Sequence, residues 1–348
     1  MQYQSRKERL AEFFPDVPKF RQSQLDEALF KSEFSSWNDV TNFPVAMREK
    51  LTADVPWTSL EPVAVQNGEE KDVYKASLST FDGQHIETVL MKNARDAWTV
   101  CVSSQVGCAM RCAFCATGKM GLTRSLHSDE IVDQYRFWVM FLSEKPELNL
   151  RISNIVFMGM GEPMANYENV RDALNILLAN TSIGPTHMIV SSVGVIPRLE
   201  QMLSDEKWPH IRMAISLHSA DSANRMKLMP TSYPKFHADL ADWARRYLAE
   251  FGNRRHHLTF EYVMLAGVND TDDDAKKLAS YVTKIGDVRV NLIPFNTTEA
   301  EFTSSSRKTM EHFQSILDSR GVTVTIRKSL GTDFDAACGQ LAAKKKHV

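Results

Sequence analysis

The sequence has no run of about 18 apolar residues, the length a membrane helix needs, so a membrane span is excluded. Met1 to Leu10 are polar and charged, with no apolar signal-peptide core, so a cytoplasmic location is expected. Internal repeats and low-complexity tracts are lacking, which sets aside solenoids and disordered arrays. No charge sign dominates: 41 Lys and Arg face 43 Asp and Glu, a net of −2. That argues against a uniformly basic nucleic-acid binder, although a balanced total can hide a local basic face. Cysteine is scarce, with five residues in 348. They are Cys101, Cys108, Cys112, Cys115 and Cys338, and four fall within fifteen residues. An odd, clustered set without a signal peptide reads as metal or redox chemistry and not as a secreted disulfide framework. The remaining composition, 43% hydrophobic and 24% charged, is that of a globular protein of one large domain or two ordinary ones.

Residues 1 to about 60 show helical spacing of apolar residues over 6–14, 22–31 and 44–52. Stretches 72–79 and 85–91 then predict a hairpin about Asp82-Gly83. From about residue 95 short apolar runs alternate with amphipathic segments. The runs are 98–103, 154–158, 188–192, 213–218, 258–264 and 288–295, and the helices between and after them are 127–143, 167–179, 236–251, 272–285 and 308–320. Strands alternating with helices indicate an α/β fold of parallel units. Six such units suit a barrel-like sheet that need not close completely. A last apolar run, 322–326, precedes a loop with Cys338, and the chain ends near Lys344-Lys345-Lys346-His347.

Cys108-x-x-x-Cys112-x-x-Cys115 follows the first of these strands. Three thiolates in one loop can hold three irons of a [4Fe–4S] cube, which ordinarily takes four cysteines. The fourth iron is then open to another ligand. The competing reading is structural zinc, which needs a fourth ligand, and His127 is the nearest candidate. The spacing resembles that of the radical S-adenosylmethionine (SAM) superfamily. There the open iron takes the amino and carboxylate end of SAM, and an electron cleaves the sulfonium to give a 5′-deoxyadenosyl radical. Gly159-Met160-Gly161-Glu162-Pro163 follows the second strand. Glycine permits close backbone approach, and a carboxylate at a strand's C-terminal end accepts an ammonium. Alone it reads equally as a strand-to-helix turn; one β/α unit after the cysteines, it resembles the superfamily's SAM-binding motif, with Gly161 and Glu162 as ligands. Ser191, Ser216, Leu217, His218 and Asn296 lie at or near other strand ends, with Ser216 and His218 expected toward the lumen. Each taken singly is an ordinary turn or strand residue; as a ring they are candidate SAM ligands.

Cys101, alternating with Val100 and Val102, is expected to face the lumen, and Cys338 lies in a small-residue loop. A free cysteine taken alone is most often a small buried hydrophobe. Together with Cys101-Val-Ser-Ser-Gln-Val-Gly-Cys108, Gly159-Met-Gly-Glu162, Ser216-Leu-His218, Glu261-Tyr-Val-Met-Leu265, Val268-Asn-Asp270, Asn291-Leu-Ile-Pro294 and Asp335-Ala-Ala-Cys338-Gly-Gln-Leu341, the pair resembles the RlmN/Cfr family of adenosine methyl synthases. The likeness runs from about residue 85 to 341, and the helical N-terminal region also fits. It implies a partial (β/α)6 radical SAM barrel over 95–330, an N-terminal helical, RNA-binding accessory domain over 1–60, a short β-hairpin extension over 61–94, and a C-terminal loop and tail over 331–348.

The resemblance also implies a two-stage mechanism using two SAM molecules per turnover. Adenine C2 and C8 are not nucleophilic, so direct transfer fails, whereas a thiolate is a good nucleophile. Cys338 takes a methyl group, loses a hydrogen atom from it and adds the methylene to the base. Glu87 accepts the ring proton. Cys101 then attacks the Cys338 sulfur, releasing the RNA and leaving a transient disulfide. Without the resemblance, Glu87 reads as an exposed strand carboxylate. The implied partners are 23S rRNA, with tRNA for some members, and an electron donor such as flavodoxin or ferredoxin; a monomer is expected.

Pro163 and Pro294 resemble the members that methylate C2. Lys227-Leu228-Met229-Pro230 and Ala116-Thr117-Gly118 look closer to those that methylate C8 and confer antibiotic resistance. Thr297 stands where a proline is usual, and Leu330-Gly331-Thr332 where Arg-Gly-Asp is commoner. C2 methylation is therefore the favoured expectation and C8 methylation the alternative. A radical SAM enzyme with a non-RNA substrate is a further alternative, as is a non-enzymatic iron–sulfur or zinc protein that binds RNA.

Overall fold

The computed structural model describes residues 4–342 apart from 69, 70, 254 and 299; the lysine-rich tail lies outside the described residues. Helices α1 (Arg6–Phe13), α2 (Lys19–Leu29) and α3 (Val45–Asp54) come first. They enclose a small core of their own, with Leu25, Trp37, Phe43 and Leu51 at its centre. Strands β1 (Leu60–Asn67), β2 (Val73–Thr80) and β3 (His85–Lys92) follow as an antiparallel ribbon. Strand β3 pairs antiparallel with β4 (Trp98–Cys101), which opens the parallel part of the sheet. A side ribbon of β5 (Gln105–Gly107) and β6 (Leu122–Ser125) brackets the short helix α4 (Ala116–Met120). Beyond α5 (Ser128–Ser143) the chain alternates: β7 (Ile152–Phe157), α6 (Tyr167–Asn180), β8 (Met188–Ser192), α7 (Ile196–Ser204), β9 (Arg212–Ser216), α8 (Ser222–Leu228), α9 (Phe236–Phe251), β10 (Leu258–Met264), α10 (Asp272–Thr283), β11 (Val288–Pro294), α11 (Arg307–Asp318) and β12 (Val324–Ile326).

One ten-stranded sheet runs β1-β2-β3-β4-β7-β8-β9-β10-β11-β12, parallel from β4 onward. Its helix-facing side is apolar: Met213, Ile215, Leu258, Phe260, Tyr262, Val290 and Leu292 are buried there. The alternate residues line the concave side, which places Cys101, Ser191 and Ser216 inside. The parallel run has seven strands, one more than expected, because the apolar run 322–326 contributes β12. The expected hairpin is a three-stranded ribbon. Its first strand carries no alternation to betray it: β1 is the sheet's outer edge, largely exposed, with its register broken between Pro62 and Ala64. Helices α7 and α8, nine and seven residues long, were not expected.

The N-terminal helices are fastened to the barrel through two buried carboxylates of α5: Asp129, which accepts Arg6 N–H at 2.7 Å, and Asp133. Asp133 of α5 accepts Arg6 Nη2 and Arg136 Nη1, each at 2.5 Å, together with Ser59 Oγ at 2.6 Å and Ser59 N–H at 2.7 Å. Arg136 also donates to Leu29 O and Trp57 O, so the pair reaches into both units. Burial opposes ionisation of Asp133, but Arg6, Arg136 and the Ser59 bonds outweigh it and hold the carboxyl well below its usual range. Removing it strands two buried cations, which costs about 3–5 kcal/mol. Asp133→Asn is therefore expected to lower the thermal midpoint at pH 7 steeply, while the exposed Asp242→Asn is not; equal midpoints would show that the carboxylate is not what joins the two units. A depressed pKa contributes stability that is complete above the unfolded value of about 4 and is lost as pH falls below it.

Candidate active site

The three clustered cysteines lie between β5 and α4. Cys108 N–H donates to Gly121 O at 2.8 Å, Cys115 N–H to Cys112 O at 3.1 Å, and Ala113 N–H to Leu228 O at 2.9 Å, which fixes the loop against α8. Cys108 and Cys112 are buried and Cys115 is partly so. Burial pushes the Cys108 thiol up to about 11, with Glu162 and Cys115 adding to it. Cys112 is raised by burial and then by Cys115 and Cys108. The three sulfurs thus sense one another, yet among the described residues no three His, Cys, Asp or Glu side chains converge on a single ion. Three thiols on one loop fit a multi-iron cluster that takes one thiolate per iron. A tetrahedral zinc site would need a fourth ligand. His127, the nearest extra ligand by sequence, is the N-cap of α5, with its backbone N–H on Glu130.

The turn after β7 packs against the segment that leads into this loop. A Cβ on Gly159 would lie 2.7 Å from Ser103 Oγ. Gly161 has φ +100°, and a Cβ there would lie 2.5 Å from Gln105 Cβ. Only glycine meets both demands. The turn delivers Glu162, only 2% exposed. Its N–H donates to Gln105 Oε1 at 2.9 Å; its carboxylate accepts Met164 N–H at 2.9 Å and Val193 N–H at 2.8 Å. Burial raises its pKa to about 6 against these bonds. Each oxygen keeps lone-pair capacity for an ammonium group.

The other strand ends surround the same space. Ser191 and Ser216 are half-buried on the concave face, and Ser216 is in register with Glu261. Leu217, between Ser216 and His218, turns its side chain into the core, so only its backbone lies toward this space; its N–H donates to Glu261 O and its carbonyl accepts Arg225 Nε. His218 takes a left-handed backbone, φ 57°, rare for a non-glycine residue and frequent at functional sites. Asn269 holds it there, donating to His218 O at 2.8 Å and Val263 O at 2.7 Å. His218 Nδ1 accepts Val263 N–H at 3.0 Å, and burial, then Arg225, lowers its pKa to about 3. The ring is neutral with its proton on Nε2, edge-on to Phe114. Asn296 is buried and donates from Nδ2 to Cys338 O at 3.1 Å.

Cys101 is buried on β4, and its thiol is pushed up by burial and then by Cys338, so the two sulfurs lie within electrostatic range. Both are free thiols. Cys338 is open to water, although the surrounding protein raises its thiol, as suits a side chain lining an open cavity. Its loop is moored on three sides. Ala116 N–H donates to Gly339 O at 2.8 Å and Thr117 Oγ1 to Leu341 O at 2.6 Å, tying it to the helix after Cys115. Gln340 Nε2 donates to Thr297 O at 2.9 Å. Glu87, buried and not the exposed carboxylate its strand suggested, accepts Ala342 N–H at 2.9 Å and pairs with Lys75 at 3.2 Å. Lys75 Nζ in turn donates to Asp335 O at 3.2 Å.

Sequence reasoning missed the residues that position these groups. Lys75 clamps both ends of the Cys338 loop through Glu87 and Asp335. Arg225, under which the Phe236 ring lies 3.5 Å away, gathers Val193 O, Ser216 O and Leu217 O at two strand ends. Gln105 and Asn269 stood in strings already singled out, but nothing local gave their task.

The radical SAM superfamily model matches residues 102–282 of the chain. The chain is 40% identical over 341 residues to the "Probable dual-specificity RNA methyltransferase RlmN" of Parasynechococcus marenigrum, covering 94% of this chain and 93% of that protein. It is 36% identical to the "Ribosomal RNA large subunit methyltransferase N" of Nitrosopumilus maritimus, over 93% and 92% of the two chains. The crystal structure of a radical SAM methyltransferase from Sphaerobacter thermophilus superposes with a TM-score of 0.88 at 37% identity, covering 98% of both chains. With its thiol trio, its glycine turn and two further cysteines, the chain belongs to the radical SAM superfamily and, within it, to the RlmN family.

Proposed function

We propose that the protein methylates C2 of an adenosine in 23S rRNA, and of one in tRNA, through an S-methylcysteine intermediate. One observation carries this reading: Cys101 and Cys338, far apart in sequence, come within electrostatic range of each other, and Cys338 within range of Cys115 of the thiol trio. Cys108, Cys112 and Cys115 hold the [4Fe–4S] cluster; Gly161, Glu162, Ser191, Ser216, the backbone of Leu217, His218 and Asn296 border the SAM site. Bound there, these groups supply an electron, a methyl group and the means to remove hydrogen from it. The chain's own residues do the rest. Cys338, on a loop with left-handed Asp335 and Gly339, carries the one-carbon unit to the base. Glu87, oriented by Lys75 and Ala342 N–H, takes the ring proton. Cys101, fixed by its strand, attacks the Cys338 sulfur and frees the RNA, closing a transient disulfide. The helical unit at 1–60 grips RNA, 61–94 extends the sheet, 95–330 is the barrel and 331–348 carries the methyl-accepting loop. The protein works as a cytoplasmic monomer with a flavodoxin- or ferredoxin-type donor. Among the described residues no helix is long and apolar enough to cross a membrane.

The regiochemistry follows Pro163, buried at the start of the turn after Glu162, and Pro294, at the end of β11, where C2 members resemble this chain. The expected product is 2-methyladenosine, read by chromatography of nucleosides from rRNA and tRNA of a host lacking the enzyme, before and after complementation. Comigration with 8-methyladenosine would reverse the regiochemistry and bring resistance to ribosome-directed antibiotics with it.

A further inference from the structure

We propose that the floor of the barrel is a phosphate-binding site for the RNA strand that carries the target adenosine, built from Arg212, His257, Arg289 and Arg327. This rests on the RNA-methylating reading above and adds a binding site to it.

The four residues come from three neighbouring strands and the end of a fourth. Arg212 opens β9, His257 directly precedes β10, Arg289 is the second residue of β11 and Arg327 directly follows β12. Strand parity puts them on the concave side: Arg212 shares the face of Ala214 and Ser216, His257 that of Thr259 and Glu261, and Arg289 that of Asn291. Their cationic and polar groups are incompletely answered by protein. His257 is only 9% exposed, and its Nδ1 has no partner among the described residues. Arg212 Nε is likewise buried without one. Arg212 Nη2 donates to His257 Nε2; burial and then Arg212 lower the His257 pKa to about 4, so the ring is neutral and carries its proton on the unpartnered Nδ1. Burial, followed by the charges of Arg289 and Arg327, lowers the pKa of Arg212.

The acidic groups in range are Glu261 and Asp287. Glu261 is engaged by Asn291 Nδ2 at 2.9 Å. Two buried donors without a partner, Arg212 Nε and His257 Nδ1, with the Arg289 and Arg327 charges in range of Arg212, are what a bound anion would satisfy. Guanidinium forks suit phosphate oxygens, and Arg289 and Arg327 are exposed, so a phosphate can reach them. Arg327 also lies within electrostatic range of Cys338, which links this floor to the methyl-carrying sulfur. The cluster is the local basic face that a net charge of −2 conceals.

The test is fluorescence anisotropy of a fluorescein-labelled RNA stem-loop with an adenosine in the loop, titrated with cluster-loaded protein over a series of KCl concentrations. Wild type is compared with Arg289→Gln/Arg327→Gln and with Arg289→Lys/Arg327→Lys. The Gln pair should bind about ten- to a hundredfold more weakly at low salt, as two charged hydrogen-bonding groups are lost. Its plot of log affinity against log salt should be shallower by about 1.4, the share of two phosphate contacts on a single strand. The Lys pair, which keeps the charge, should keep the wild-type slope. Wild-type binding with an unchanged affinity and slope in the Gln pair overturns the phosphate site alone. A weaker Gln pair whose slope is unchanged also overturns it, since that loss is structural. No binding by wild type overturns the RNA-methylating reading and this site with it.

Discussion

Replacing Cys108, Cys112 or Cys115 by Ala is expected to abolish reductive cleavage of SAM. Each sulfur is the sole ligand this loop offers to one iron, and the loop itself is held by backbone bonds to Gly121 and Leu228 that the substitution leaves in place. The variants should therefore fold and still lack the cluster. Reconstituted wild type should carry about four irons and four sulfides per chain, with visible absorption. Each variant should lose the absorption and release no 5′-deoxyadenosine above background. A variant that continued to form 5′-deoxyadenosine would remove the trio from the chemistry and leave the family fold without its usual centre. Thermal melting separates this from misfolding, because Cys112 packs with Leu228 and Met229 in a small cluster of its own, and a collapsed loop would show there first.

The second large effect divides the work of the two remaining cysteines. Cys101→Ala should accumulate protein joined to RNA through a methylene on Cys338, and Cys338→Ala should carry no nucleotide at all. The reason is positional. Cys338 is exposed on a loop between left-handed residues, able to meet first one partner and then another. Cys101 sits in a ladder between Val89 and Val156, where its backbone cannot travel. A nucleophile that waits in place acts last, so its loss stalls the reaction after the bond to the base has formed. Expression of each variant, nuclease digestion and intact-mass measurement give the answer. The opposite pattern would exchange the two roles, and methylation persisting in both without any adduct would dismiss them from the mechanism.

Most of the barrel could be read from the chain because parallel strands buried on both sides appear as short apolar runs, and those at 188–192, 258–264 and 288–295 match strands to within a residue. Strand ends were harder: the runs 98–103 and 213–218 stop at Cys101 and Ser216, where Ser103 Oγ donates to Glu87 O and His218 Nδ1 accepts Val263 N–H outside the ladder. Strand β1 was invisible because an exposed edge has no pattern to impose. At the site, the spacing of Cys108, Cys112 and Cys115 and the glycines before Glu162 were legible because their chemistry is local. Lys75, Arg225 and the cationic floor were not, because each draws its meaning from groups tens to hundreds of residues away. Leu217, grouped with the SAM ligands, shows the reverse limit: a residue between two lumen-facing neighbours points the other way.

The broken register of β1 governs how this molecule meets its own copies in a crowded cell. An open ten-stranded sheet ends in unpaired peptide groups, and β1 adds two exposed valines, Val63 and Val65, to that rim. A flat rim of this composition would template fibrils. Pro62 offers no N–H there, and the irregularity beside it bends the strand, so an incoming chain loses its first ladder bonds where it would dock. At the opposite rim β12 is three residues long, too short to hold a foreign strand. Aggregation through either rim is thereby disfavoured by backbone geometry.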